Sequence, residues 1–141
     1  MERKNTDQLQ QELMTGNDLD RVLADNDSSF QGYALQERLQ ALFQRREISK
    51  TALARQSGIS EVYLHQVFSG RRTPSRNRLL CLCFGLGASV EEAQDLLRHA
   101  RLAPLYSRDR RDAIVIFGLS HGMSLDEIND KLYAEDADTL C

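Results

Sequence analysis

Residues 50–74 read KTALARQSGISEVYLHQVFSGRRTP, and this stretch decides the fold. Ala52 and Leu53 open an apolar-periodic segment that passes a small residue, Ala54, and stops at Gly58. A second periodic segment follows at once, with Leu64, Val67 and Phe68 on one face. Gly70, Arg71, Arg72 and Pro74 close it. The pattern predicts two short helices joined by a tight glycine turn. The second helix is polar on its outer face and has arginines just past its end. Such a helix-turn-helix arrangement holds one helix out for the major groove of DNA.

The neighbouring segments continue in the same mode. A helix over 34–46 places Leu35, Leu39, Leu42 and Phe43 on one stripe. Ser49 caps a helix over 50–57, and Gly58 ends it because the turn needs positive φ. Ser60 starts the next helix, with Ile59 and Leu64 at hydrophobic-staple spacing. Pro74 and Ser75 launch a helix to about 86 that is apolar nearly all round. It is therefore expected to be buried from two sides, with the C-terminal third packed onto it.

Ser89 and Glu92 form one capping box, opening a helix to about 100, and Ser124 and Glu127 form another. Pro104 closes the loop between, and 108–120 reads as an amphipathic helix. The last helix is expected to fray near 134, leaving AEDADTLC as an acidic tail. Upstream, 7–14 and 18–25 read as short helices with Thr6 and Asn17 as N-caps. A polar break over 25–29 precedes Phe30 and Tyr33, two expected anchors for this arm. Strand-like alternation is absent, so the fold class is all-α.

Charge is divided along the chain. The net charge is −3, which taken alone argues against nucleic acid. Yet residues 1–33 carry −4, residues 34–87 carry +6 and residues 88–141 carry −5. A basic middle between acidic ends suits one phosphate-facing surface. The 141 residues suit one compact domain that needs neither metal nor disulfide for its core. The N-terminus is polar, without a signal peptide pattern, and the apolar runs are too short for a membrane span. The three cysteines lack metal spacing and read as reduced thiols in a cytoplasm. His65, His99 and His121 show no catalytic or ligating spacing, and no nucleophile–base pair is visible. The expectation is no enzyme, no metal and no cofactor.

From about residue 35 to 90 the chain resembles the phage-repressor-like (Xre/Cro-like) class of helix-turn-helix domains. Leu53-Ala54, Gly58-Ile59-Ser60, Leu64, Val67, Gly70, Pro74, Leu79-Leu80 and Leu86-Gly87-Ala88-Ser89 carry the match. The resemblance implies a lambda-repressor-like five-helix bundle, here with extra N- and C-terminal helices packed as one domain. The expected division is an acidic arm over 1–33, the helix-turn-helix domain over 34–100 and a helical extension over 101–141. One departure stands out. Many members bury an arginine of the first helix against a glutamate of the recognition helix, at positions that match Phe43 and Phe68 here. Losing one partner would strand a buried charge at about 3–5 kcal/mol, whereas replacing both by apolar groups is tolerated. Phe43 and Phe68 are therefore predicted to touch.

The helix opening at Ser60 is the expected recognition helix. Helical spacing turns Glu61, Val62, His65, Gln66 and Ser69 outward. In the resembled family the base-reading positions match Glu61, Val62 and Gln66. Gln66 suits adenine, Glu61 the cytosine amino group and Val62 a thymine methyl. A carboxylate facing phosphates is repelled unless it finds a donor, and Glu61 also suits the first helical turn without any ligand. Lys50 matches a family phosphate contact. Arg71, Arg72 and Arg76 are expected to form a phosphate clamp with the exposed amides of the next helix start. Tyr63 is either a phosphate contact or a packing residue. Arg45, Arg46, Arg55 and Arg78 read as a solvated face. The resemblance implies double-stranded DNA as partner, a regulator of transcription and a homodimer reading two half-sites. The alternative is a protein-interaction module or antitoxin that binds a partner protein.

Overall fold

Side-chain caps set most of the helix starts in the computed structural model, which describes residues 5–26 and 31–141, the side chains of 31–33 excepted. Among the described residues the chain is all-helical: α1 (Thr6–Thr15), α2 (Leu19–Asp25), α3 (Gln31–Arg46), α4 (Lys50–Gln56), α5 (Glu61–Ser69), α6 (Arg76–Leu86), α7 (Val90–His99), α8 (Arg110–Ser120) and α9 (Leu125–Ala134). Ser49, Ser60, Ser75, Ser89 and Ser124 each accept a hydrogen bond from the backbone amide three residues on. Both predicted capping boxes are formed. The first two caps differ from expectation by one residue. Asn5, not Thr6, caps α1 because Gln8 completes a reciprocal box with it. Asp18, not Asn17, caps α2 by accepting from the Arg21 amide. Phe30 and the Tyr33 side chain lie outside the described residues.

α6 is the central rod. Every residue from Leu79 to Leu86 is buried, as its all-round apolar pattern requires. It touches α3, α4, α7 and α9. One continuous core runs from Leu35 through Leu53, Leu64 and Leu80 to Leu125, Ile128 and Leu132. The extension is thus part of the same core as the helix-turn-helix segment. Burial pushes the Cys81 and Cys83 thiols up to about 12.

Two polar clasps tie α3 to α7 beside this rod. Arg45 of α3 grips Glu92 of α7 in a fork at 2.7 and 3.0 Å, and Arg38 meets Asp95 at 2.6 Å. Arg45 lies on an exposed face as expected, and is ion-paired there because α3 and α7 pack side by side and bring the carboxylate within reach. Arg46 is likewise engaged, donating to Gly85 O and Gln56 Oε1.

The expected acidic tail is docked instead. Leu140 is buried, and its amide donates to Asn129 Oδ1 at 2.8 Å. Arg111 of α8 donates to the carbonyls of Asp138 and Thr139, and also to Asn77 of α6. A single apolar side chain within a polar run supplies the anchor, and the arginine supplies backbone partners. Asp112, also on α8, is buried and paired with Arg76.

Candidate nucleic-acid interface

α5 is presented by the turn before it. Gly58 takes φ +62°, a left-handed conformation natural to glycine, and Ile59 N then donates to Ala54 O at 3.1 Å. The chain reverses direction within Ser57–Ser60, and Ser60 caps α5. Leu64 and Val67 point into the core, and Phe68 packs on its edge. Glu61, Val62, His65 and Ser69 are exposed, with Gln66 half-buried among them. Gly70 ends the helix at φ +83°, and the amides of Arg71 and Arg72 fold back onto Gln66 O at 2.9 and 3.2 Å. A Cβ at position 70 would meet the movable end of the Gln36 side chain, so it is the positive φ that calls for glycine.

A hollow of about 490 Å³ opens on this face. Val62 and Gln66 line it beside Lys50 of α4 and Arg71. These are four of the sequence-predicted site residues, brought together from two helices and a loop. His65 and Gln40 line it too. His65 was legible as outward-facing but carried no motif. Gln40 was not legible, because only the packing of α3 on α5 places it there. Glu61 is exposed in the first turn of α5 and does not line the hollow.

Phe43 and Phe68 do touch. Their centroids are 5.7 Å apart and the rings stand at 85°, an edge-to-face pair. Their contact gives Lys50 a seat: its ammonium lies 5.1 Å from the Phe68 centroid and 5.9 Å from that of Phe43. The uncharged pair therefore fills the space and also holds a cation at the rim of the hollow.

Arg76 does not belong to the clamp as expected. Its guanidinium donates to Ala103 O, to Pro104 O and to both oxygens of Asp112. With these partners its donors are directed into the 103–112 loop, and the side chain serves to fasten that loop to α6. The partner lies 36 residues away in sequence, and no local pattern announces it. Tyr63 is a packing residue, only 7% exposed. Its ring lies beneath Arg72 and Arg78, whose guanidinium carbons are 5.3 and 4.5 Å from the centroid. Arg71, Arg72 and Arg78 are exposed, and none is ion-paired among the described residues.

Residues 34–96 match a family model described as a helix-turn-helix domain. The match covers just under half of the chain. The match is consistent with the phage-repressor-like class that the sequence resembles, and such a domain marks DNA-binding regulators in general. Neither the curated proteins nor the solved structures give a match to the chain. No helix among the described residues is long and apolar enough to cross a membrane.

Proposed function

We propose that the protein is a sequence-specific DNA-binding regulator of transcription, with α5 of the helix-turn-helix domain as the reading helix. One observation carries this reading: Val62, His65 and Gln66 face a hollow whose rim holds Lys50 and Arg71. Neutral, hydrogen-bonding and apolar side chains at the centre suit base edges, and cations at the margin suit phosphates. Gln66 pairs with adenine, Val62 packs on a thymine methyl and Glu61 accepts from a cytosine amino group. Lys50, Arg71 and Arg72 neutralise phosphates. The active form is a homodimer on two half-sites, with 34–100 as the DNA-binding unit and 1–33 as an acidic arm.

Selection of duplexes from a random pool, followed by anisotropy titration over a range of salt, tests this. Gln66→Ala is expected to cost about 1–3 kcal/mol of discrimination at one base pair. Arg71→Ala with Arg72→Ala is expected to weaken all duplexes alike and to lower the salt slope by about two. An unenriched pool together with salt-independent titrations would sink the reading.

A second reading, a module that binds a partner protein, is favoured by the surface of α8 and α9. Phe117 is 57% exposed beside an apolar groove lined by Ile114, Met123 and Ile128. A stoichiometric protein partner that displaces DNA would support it.

A further inference from the structure

We propose that Arg78 is a phosphate-binding residue and that Tyr63 positions it, together with Arg72, along one border of the reading helix. The inference rests on the DNA-binding reading above and adds a station to it. Two guanidinium groups converge on one buried ring, at 5.3 Å for Arg72 and 4.5 Å for Arg78. The two come from different places, the loop after α5 and the first turn of α6. A cation over an aromatic ring uses the face of the guanidinium plane. Its N–H groups, which lie in the plane, remain available to an anion. Neither arginine is ion-paired among the described residues, so both cations at this ring lack a carboxylate to offset them. A phosphate supplies that counter-charge.

The position is suited to the backbone of a duplex. By helical spacing, Tyr63 and Phe68 border the outward arc of α5 on opposite sides. Phe68 with Phe43 seats Lys50, and Tyr63 seats Arg72 and Arg78. The reading face thus has an aromatic-seated cation on either flank, as a helix between two phosphate strands requires. Arg78 takes the place that the sequence reading gave to Arg76, whose donors are committed to Asp112 and to loop carbonyls.

The experiment uses the full chain, the tightest duplex recovered from a random pool and the single-base-pair variants of that duplex. Arg78→Ala, a change at an exposed position, is expected to weaken every duplex about 3- to 10-fold and to reduce the salt slope by about one. Tyr63→Phe keeps the ring and is expected to bind within about twofold of wild type. Tyr63→Leu fills the buried site without a π face, and is expected to reproduce the Arg78→Ala loss in affinity and slope. The double variant should lose less than the product of the two single effects. Melting curves confirm that each chain is folded. If Tyr63→Leu fails to fold, Arg78→Ala decides the phosphate role, and a Tyr63→Phe chain that shows the Arg78→Ala loss overturns the ring as the seat. Wild-type affinity and slope in Arg78→Ala overturn the proposal, and so does an effect confined to one base pair. Tyr63→Leu binding like wild type removes Tyr63 as the positioning residue. Absence of salt-dependent binding by the wild-type chain overturns the DNA reading itself, and this proposal with it.

Discussion

Glu92 serves two structures with one carboxylate. It accepts from the Ser89 amide at 2.8 Å, closing the capping box of α7, and it receives the Arg45 fork from α3. Arg45 foremost, then the Ser89 amide, pull its carboxyl down from 4.5 to about 2 against the opposing effect of burial. A depressed folded pKa means the unfolded chain binds the proton more readily. The contribution is therefore complete above about 4.5 and is lost as pH falls toward about 2. Glutamine retains the capping geometry but removes the charge. Glu92→Gln is expected to be less stable than wild type at pH 7. The difference should shrink below about pH 4.5 and vanish near pH 2. Urea midpoints across that range measure it. The pair is partly exposed, so the effect is modest and weaker in high salt. A pH-independent difference would leave the cap alone as the role of Glu92. Residue-level reading from sequence worked where partners are close in the chain or lost together, as for Phe43 and Phe68. It did not reveal the partners of Arg45 and Arg76, which lie 47 and 36 residues on.

Between elements, α4 and α6 approach each other closely. Gly85 sits so near the end of α4 that a Cβ there would fall 1.9 Å from Ser57 Oγ. Ser57 is fully buried, and its hydroxyl has no hydrogen-bond partner among the described residues. A buried hydroxyl left unpaired costs about 1–3 kcal/mol. Ser57→Ala is therefore expected to raise stability by about 1 kcal/mol, read as a higher thermal midpoint. Gly85→Ala is expected to lower it by about 1–3 kcal/mol through overpacking. A stability loss in Ser57→Ala would show that the hydroxyl finds a partner in solution, such as a water. Elements were the most legible scale. Periodicity placed the helices, and serine caps fixed their starts, because both signals are local. Asn5 beside Thr6 and Asn17 beside Asp18 each offered two adjacent caps; Gln8 completes a reciprocal box with Asn5, and Asp18 is the residue that accepts from the Arg21 amide. Glycine at 85 gave no such signal, since only packing against Ser57 explains it. Around α5, helical phase correctly turned Glu61, Val62, His65, Gln66 and Ser69 outward. The hollow that gathers Gln40, Lys50 and Arg71 around them depends on three elements meeting.

At the scale of the whole molecule, the last residues act as a clasp across the fold. Leu140 enters the core beside α9, while Arg111 ties the carbonyls of Asp138 and Thr139 to α8 and reaches Asn77 on α6. The turn before α5 adjoins the same region: a Cβ at Gly58 would lie 3.1 Å from Leu125 Cδ2 and 3.2 Å from Cys141 Sγ. An acidic, polar composition hid this from sequence, because one leucine among aspartates gives no period to read. The expectation that follows separates a clasp from a solvated appendage. Leu140→Ala removes a buried side chain at the molecule's edge, where surroundings can relax, so the low end of the usual range applies. Stability to urea should fall by about 2 kcal/mol. Arg111→Ala should fall as well, by less, since its partners regain water. The two side chains anchor one segment, so the double variant should lose less than the sum. A solvated tail would instead give changes within about 0.5 kcal/mol for both. The affinity of the folded Leu140→Ala chain for DNA then shows whether the turn before α5 depends on this clasp: an unchanged affinity assigns the tail to stability alone.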